Sequence, residues 1–108
     1  MTNFNDTSCK KVLEEVLQER HNQHEQWGEQ NLPDGTHPTF VTQRDEHQQR
    51  RRGRSNENLL WGDILLEEVY ETLSETNHNK LRAELIQVAA VAVQWAEAID
   101  RREKETGA

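Results

Sequence analysis

A single cysteine, Cys9, stands in the whole chain. An internal disulfide is thereby excluded, and the fold must close without a covalent staple, as suits a reducing compartment. Long apolar runs are missing too. The longest, around Val88 to Val93, is too short and too alanine-rich to span a bilayer, so no membrane partner is expected. The opening stretch, MTNFNDTSCKK, lacks the apolar core of a secretory leader, and the expected location is the cytoplasm. Strand signals are almost absent, and there is no internal repeat or low-complexity segment. Positive charge is scarce: 13 Lys and Arg face 20 Asp and Glu, for a formal net charge of −7. That balance argues against a general nucleic-acid binder, and no stable nucleic-acid complex is expected.

What remains is an all-α chain of 108 residues, enough for a single domain over residues 1–108 with one modest core. Only 32% of residues are hydrophobic and 31% are charged, so the apolar residues are concentrated in Val12 to Leu17, Leu59 to Leu73 and Leu81 to Ile99. The first helix runs through DTSCKKVLEEVLQERHNQHEQW. Asp6, Thr7 or Ser8 is available to cap it, and Val12, Leu13, Val16 and Leu17 follow helical spacing. Gly28, Pro33 and Gly35 then punctuate the chain. Residues 36–56 read as a polar loop, in which Arg44, Arg50, Arg51, Arg52 and Arg54 form a basic patch. A loop this long in so small a domain is more often functional or disordered than a plain connector. Ser55 or Asn56 caps a second helix reaching about Thr76, and a third runs from about Lys80 to about Lys104. The short TNHN link makes these two an antiparallel pair. The expected architecture is a helical bundle of three main helices, completed by oligomerisation as a dimer or tetramer.

The stretch LLEEVYE, Leu65 to Glu71, sets three acids among apolar residues. Each helical residue advances about 100° around the axis, so Leu59, Leu65, Leu66, Val69, Tyr70 and Leu73 share a broad face. Glu67, Glu68 and Glu71 fall together on the other side, yet Leu60 and Ile64 lie among them and Trp61 borders them. A merely solvated face would not usually carry those residues. The third helix repeats the pattern: Glu84 sits inside the stripe Leu81, Val88, Val91, Trp95, Ile99, with Gln87 at its edge. A carboxylate on an apolar stripe is costly unless it is paired or holds a metal. Glu68 and Glu71, spaced i, i+3, converge on one point, and Glu84 opposite them completes an oxygen-only ligand set suited to Mg²⁺ or Mn²⁺. The plainer alternative is a solvated acidic face on a helical interaction protein.

LLEEVYE followed by LRAELIQVAA resembles the MazG-like nucleoside triphosphate pyrophosphohydrolases, whose motif is Glu-x-x-Glu, a spacer, then Glu-x-x-Asp. Glu68-Val-Tyr-Glu71 matches the first half, with Glu67 as the frequent extra acid, and Glu84-Leu-Ile-Gln87 matches the second except at its last position. The twelve-residue spacer Thr72 to Ala83 is at the short end of the pattern. RHNQHEQWGEQNLPDG also looks like the N-terminal helix and turn of small members from actinobacteria and their phages. The resemblance implies Mg²⁺- or Mn²⁺-dependent hydrolysis of a nucleoside triphosphate to a monophosphate and pyrophosphate, in a bacterial cytoplasm and from a host or phage gene. It implies metal ligation by Glu68, Glu71, Glu84 and Gln87, and a general base at Glu67 or Glu71. Gln87, standing where the family has Asp, removes one negative charge and opens a second reading: a nucleotide-binding or sequestering protein with weak catalysis.

The remaining candidates concern the substrate. Arg20, Gln23, His24 and Trp27 continue the side of the first helix that carries Val12 and Val16. Trp27 suits stacking on a base or anchoring a core, and Gln23 or Gln30 suits hydrogen bonding to a base edge. His21 and His24 lack the further partners of a zinc site. Trp61 and Trp95 read as core or subunit-interface residues. Lys80, Arg82 and Arg101 are candidate phosphate contacts, with solvated charge as the alternative. Asp100 is a weaker further acid.

Overall fold

The computed structural model describes residues 3–52 and 59–106. These residues form four helices and no strand: α1 (Asp6–Trp27), α2 (Phe40–Arg52), α3 (Trp61–Ser74) and α4 (His78–Thr106). No helix among the described residues is long and apolar enough to cross a membrane. The chain divides into two compact units, one made of Met1–Pro33 with Val93–Ala108 and the other of Asp34–Ala92.

In the first unit, α1 is capped by Asn5 rather than by Asp6, Thr7 or Ser8. Asn5 is extended (φ −93°, ψ 91°), and its Oδ1 accepts from the Ser8 N–H at 3.0 Å. Asp6 is already helical and places its charge at the positive end of the helix dipole. The helix stops at Gly28, whose φ of +68° favours a residue without a Cβ, and whose N–H donates to the His24 carbonyl at 2.8 Å. Val12, Val93 and Glu97 are buried here, while Leu13, Val16 and Leu17 stay exposed.

The second unit corrects the expected polar loop and the three-helix count, because much of residues 36–56 is helix α2. The periodicity gave no sign of it. Apart from Phe40 and Val41 its residues are polar all round, and its one buried residue is His47. Its helix-forming signals lie elsewhere. The N–H groups of Phe40, Val41 and Thr42 bond to the carbonyls of His37, Pro38 and Thr39, starting the first turn. At the other end Arg50, Arg51 and Arg52 occupy the last turn, where positive charge suits the negative end of the dipole. The His37 N–H donates to the Leu73 carbonyl at 2.9 Å, tying the entry of α2 to the end of α3, and α2 packs against α3.

The expected caps Ser55 and Asn56 lie outside the described residues. α3 begins later than expected, after Leu60, which makes no side-chain cap, with Asp63 in the first turn. Apart from Leu66, every residue of α3 is half-buried or buried, so the helix is enclosed on both its apolar and its acidic sides. Thr72 is buried, its hydroxyl returning a bond to the Glu68 carbonyl at 2.7 Å. α4 starts two residues before the expected Lys80 because Asn77 caps it. The Asn77 Oδ1 accepts from the Lys80 N–H at 3.1 Å and its carbonyl from the Leu81 N–H at 2.8 Å.

Helix and loop readings of α2 are separable by one substitution at the exposed Gln49. Gln49→Pro removes an interior helical hydrogen bond and should lower stability by about 3 kcal/mol, whereas a loop would absorb it. Thermal unfolding followed by circular dichroism measures this, and an unchanged transition would contradict the helix.

Candidate functional site

α3 and α4 carry the acids. Glu68 and Glu71, one turn apart on α3, and Glu84 on α4 each offer a carboxylate oxygen, and these oxygens all lie within 4.8 Å of one another. All three residues are half-buried. Backbone chemistry holds the segment that presents them: the hydroxyls of Thr72 and Ser74 bond to the carbonyls of Glu68 and Glu71. Among the described residues, no Lys or Arg forms an ion pair with any of the three. Burial, then the neighbouring Glu84, pushes the Glu68 carboxyl above its ordinary pKa. Glu71 is raised by burial and by Glu68 and Glu84, against the opposing pull of Arg44 and Arg51. The local electrostatics therefore describe a negative, partly desolvated cluster on which Arg44 and Arg51 act without an ion pair to it among the described residues.

Such a set of oxygens fits a small divalent cation. Mg²⁺ holds oxygens at about 2.1 Å, so two ligands on one ion lie up to roughly 4.2 Å apart. Closing from 4.8 Å to that separation needs only small side-chain rotations. Among the described residues no sulfur or imidazole joins the cluster, which matches Mg²⁺ or Mn²⁺ better than zinc.

The other expected residues lie at several places. Glu67 is half-buried and forms an ion pair with Arg51 of α2, so its charge is already matched. Gln87 is exposed on α4, one turn beyond Glu84. In the first unit, Arg20, Gln23 and His24 line a cleft of about 350 Å³ together with Gly28, Glu29 and Gln30. Arg20 donates there to the Gln23 Oε1 at 2.6 Å, and Trp27 beside them in sequence is exposed. Arg101 and Asp100 line a different cleft of that unit with Lys10, Lys11 and Glu14. Lys80 and Arg82 are exposed on α4, and Arg82 lines a shallow cleft with Asp34, His78, Leu81 and Leu85. At two residues from Glu84, Arg82 projects about 200° around the helix from it, away from the acids.

Three residues of α2 were missed as parts of this neighbourhood. Arg44, His47 and Arg51 are spaced i, i+3, i+7 on one helical face, and that face meets α3. His47 is 3% exposed, tilted against Tyr70 at 5.9 Å between ring centres, with Nε2 3.5 Å from Asp63 Oδ1. Neither of its ring nitrogens makes a hydrogen bond. The spacing was present in the sequence, but it carries meaning only once the segment is known to be helical. The buried Glu97 of α4 was missed as well; its position, four residues after Val93, is the signal that could have found it. Comparison with family models, with curated proteins and with solved structures returns no match to this chain.

Proposed function

We propose that this chain is a Mg²⁺- or Mn²⁺-dependent nucleoside triphosphate pyrophosphohydrolase of the MazG-like kind. The observation that carries the proposal is the convergence of Glu68, Glu71 and Glu84 with no Lys or Arg among the described residues in an ion pair with them. Like charges gathered in a half-buried pocket destabilise a fold, and a divalent cation bound by all three would offset that cost. The sequence resemblance supplies the reaction, hydrolysis between the α- and β-phosphates.

A cation held by these acids would neutralise phosphate charge and make its bound water a stronger nucleophile at neutral pH. The chain's own residues do the rest. Glu68, Glu71 and Glu84 hold the cation, with Gln87 contributing its carbonyl oxygen or orienting a water. Glu67 or Glu71 accepts the proton from the attacking water. Lys80, one turn before Glu84 on α4, contacts a phosphate, and Arg20, Gln23, His24 and Trp27 are the base-contacting candidates of the first unit. Within that unit Arg20, Gln23 and His24 line a cleft, and Trp27 beside them in sequence is exposed. A second reading, nucleotide binding with little turnover, is favoured by Gln87 in place of an acid.

The reading includes a cytoplasmic helical bundle, with α3 and α4 antiparallel across the three-residue link Glu75 to Asn77 and the bundle completed by a second copy of the chain. Exposed Leu13, Val16 and Leu17 on α1, Leu66 on α3, and Leu85 and Ile86 on α4 support self-association. Sedimentation equilibrium at micromolar concentration should give a dimer or tetramer; a monomer would contradict this part of the reading.

Glu68→Gln and Glu71→Gln should each abolish metal-dependent pyrophosphate release while leaving helicity intact. Each should also leave the metal-free protein at least as stable as wild type, because a repelling charge is gone. The Mg²⁺-induced rise in Tm should disappear with it. That rise corresponds to about 1.4 kcal/mol at a tenfold excess of cation over Kd. Unchanged pyrophosphate release in both variants would remove the metal-site assignment.

Gln87→Asp restores the family's charge count. It should tighten Mg²⁺ binding roughly ten- to a hundredfold, the worth of one charge-assisted contact. Titration calorimetry with Mg²⁺ and a nonhydrolysable triphosphate reads this out. Equal affinity in the two proteins would mean that Gln87 stands outside the site.

A further inference from the structure

Glu67 differs from the acids around it. It belongs to the same LLEEVYE segment, but Arg51 reaches across from α2 and pairs with it. We propose that Arg51 is a phosphate-contacting residue, parked on Glu67 until a metal-bound polyphosphate anion takes it over. This inference rests on the nucleotide reading above and adds to it a residue, a substrate contact and an order of events.

The placement of Arg51 is built into the packing. His47, one turn before it on α2, is 97% buried in the α2–α3 contact, against Tyr70 and beside Asp63. That anchor fixes α2 on α3, so Arg44 and Arg51, on the same face, are carried to the acidic side of α3. Contacts run in reverse order along the two helices: His37 meets Leu73 and Arg51 meets Glu67. Arg44 falls between them, and both guanidinium groups draw the Glu71 carboxyl down against its burial. The Arg51 side chain is about one-third exposed, so it is open to a ligand from the solvent side.

The chemistry then favours exchange. A guanidinium fork binds a carboxylate or a phosphate with the same paired donors, so moving from Glu67 to a phosphate exchanges one charge-assisted contact for another. The site also needs a fixed cation. Three carboxylates bound to one divalent ion still carry net negative charge, and a polyphosphate meeting that charge is repelled unless a positive side chain stands at the rim. Arg51 meets that requirement. Its departure frees Glu67 from the ion pair.

The test uses titration calorimetry on the full chain with Mg²⁺ alone and with Mg²⁺ plus inorganic tripolyphosphate. Arg51→Gln should leave the affinity for Mg²⁺ alone within about twofold and weaken tripolyphosphate binding roughly ten- to a hundredfold, the scale of a lost charged hydrogen bond. Arg51→Lys should recover part of the loss. Glu67→Gln, which removes the parking partner and keeps Arg51, should tighten tripolyphosphate binding. Equal tripolyphosphate affinity in wild type and Arg51→Gln overturns the proposal. So does parallel weakening of Mg²⁺ and tripolyphosphate, the mark of a merely structural ion pair. If Arg51→Gln fails to fold, Glu67→Gln decides alone: unchanged or weaker tripolyphosphate binding overturns it. Wild-type protein that binds neither probe overturns the nucleotide reading together with this one, whereas wild type binding both with Arg51→Gln unaffected overturns only the Arg51 assignment.

Discussion

Mutual repulsion among Glu68, Glu71 and Glu84 is the constraint around which the second unit is arranged. Three carboxylates within 4.8 Å, each partly withdrawn from water, favour unfolding unless something positive joins them. The surrounding structure holds them together regardless. Thr72 and Ser74 bind back to the carbonyls of Glu68 and Glu71, and Asn77 fixes the start of the helix that brings Glu84. On the metal-site proposal, packing and capping that assemble like charges are the local conflict expected of a functional site.

The positive groups nearby are arranged in graded distance rather than in contact. Arg51 pairs with Glu67 and acts on Glu71 through space, and Arg44 also acts on Glu71 while its own side chain contacts Asp45 at 3.2 Å. Neither guanidinium forms an ion pair with a member of the cluster. Had one done so, the cluster would be a closed internal salt bridge with little to offer a cation. Placing the arginines on a separate helix keeps them out of ion pairs with the three acids while they still pull on Glu71.

The convergence of the three acids was legible in the sequence because its signals are local and periodic. The i, i+3 spacing of Glu68 and Glu71, and the apolar company of Glu84, need only the geometry of a helix to be read. The all-helical class followed in the same way from missing strand signals. The failures also have a physical cause. α2 is a helix with no apolar stripe; its buried residue is a histidine, and its formation depends on a turn, a dipole and contact with α3 that no periodicity reports. The arginines were visible, but as a charge run, and their common face appears only after the helix is known. The cap of α1 shifted by one residue for an equally local reason, since Asn5, Asp6, Thr7 and Ser8 all have cap chemistry and backbone conformation selects among them.

The cap at Asn77 has a consequence for how this chain can change over time. It sets the rotational phase of α4 seven residues before Glu84. One residue inserted between them would turn the Glu84 side chain about 100° and advance it about 1.5 Å, away from Glu68 and Glu71. A deletion would do the same in the opposite sense. Substitutions on the exposed face of this stretch carry no such penalty. The exposed positions between Asn77 and Glu84 should therefore drift in composition while the buried Leu81 and the length of the segment stay fixed, an internal ruler whose unit is the single residue.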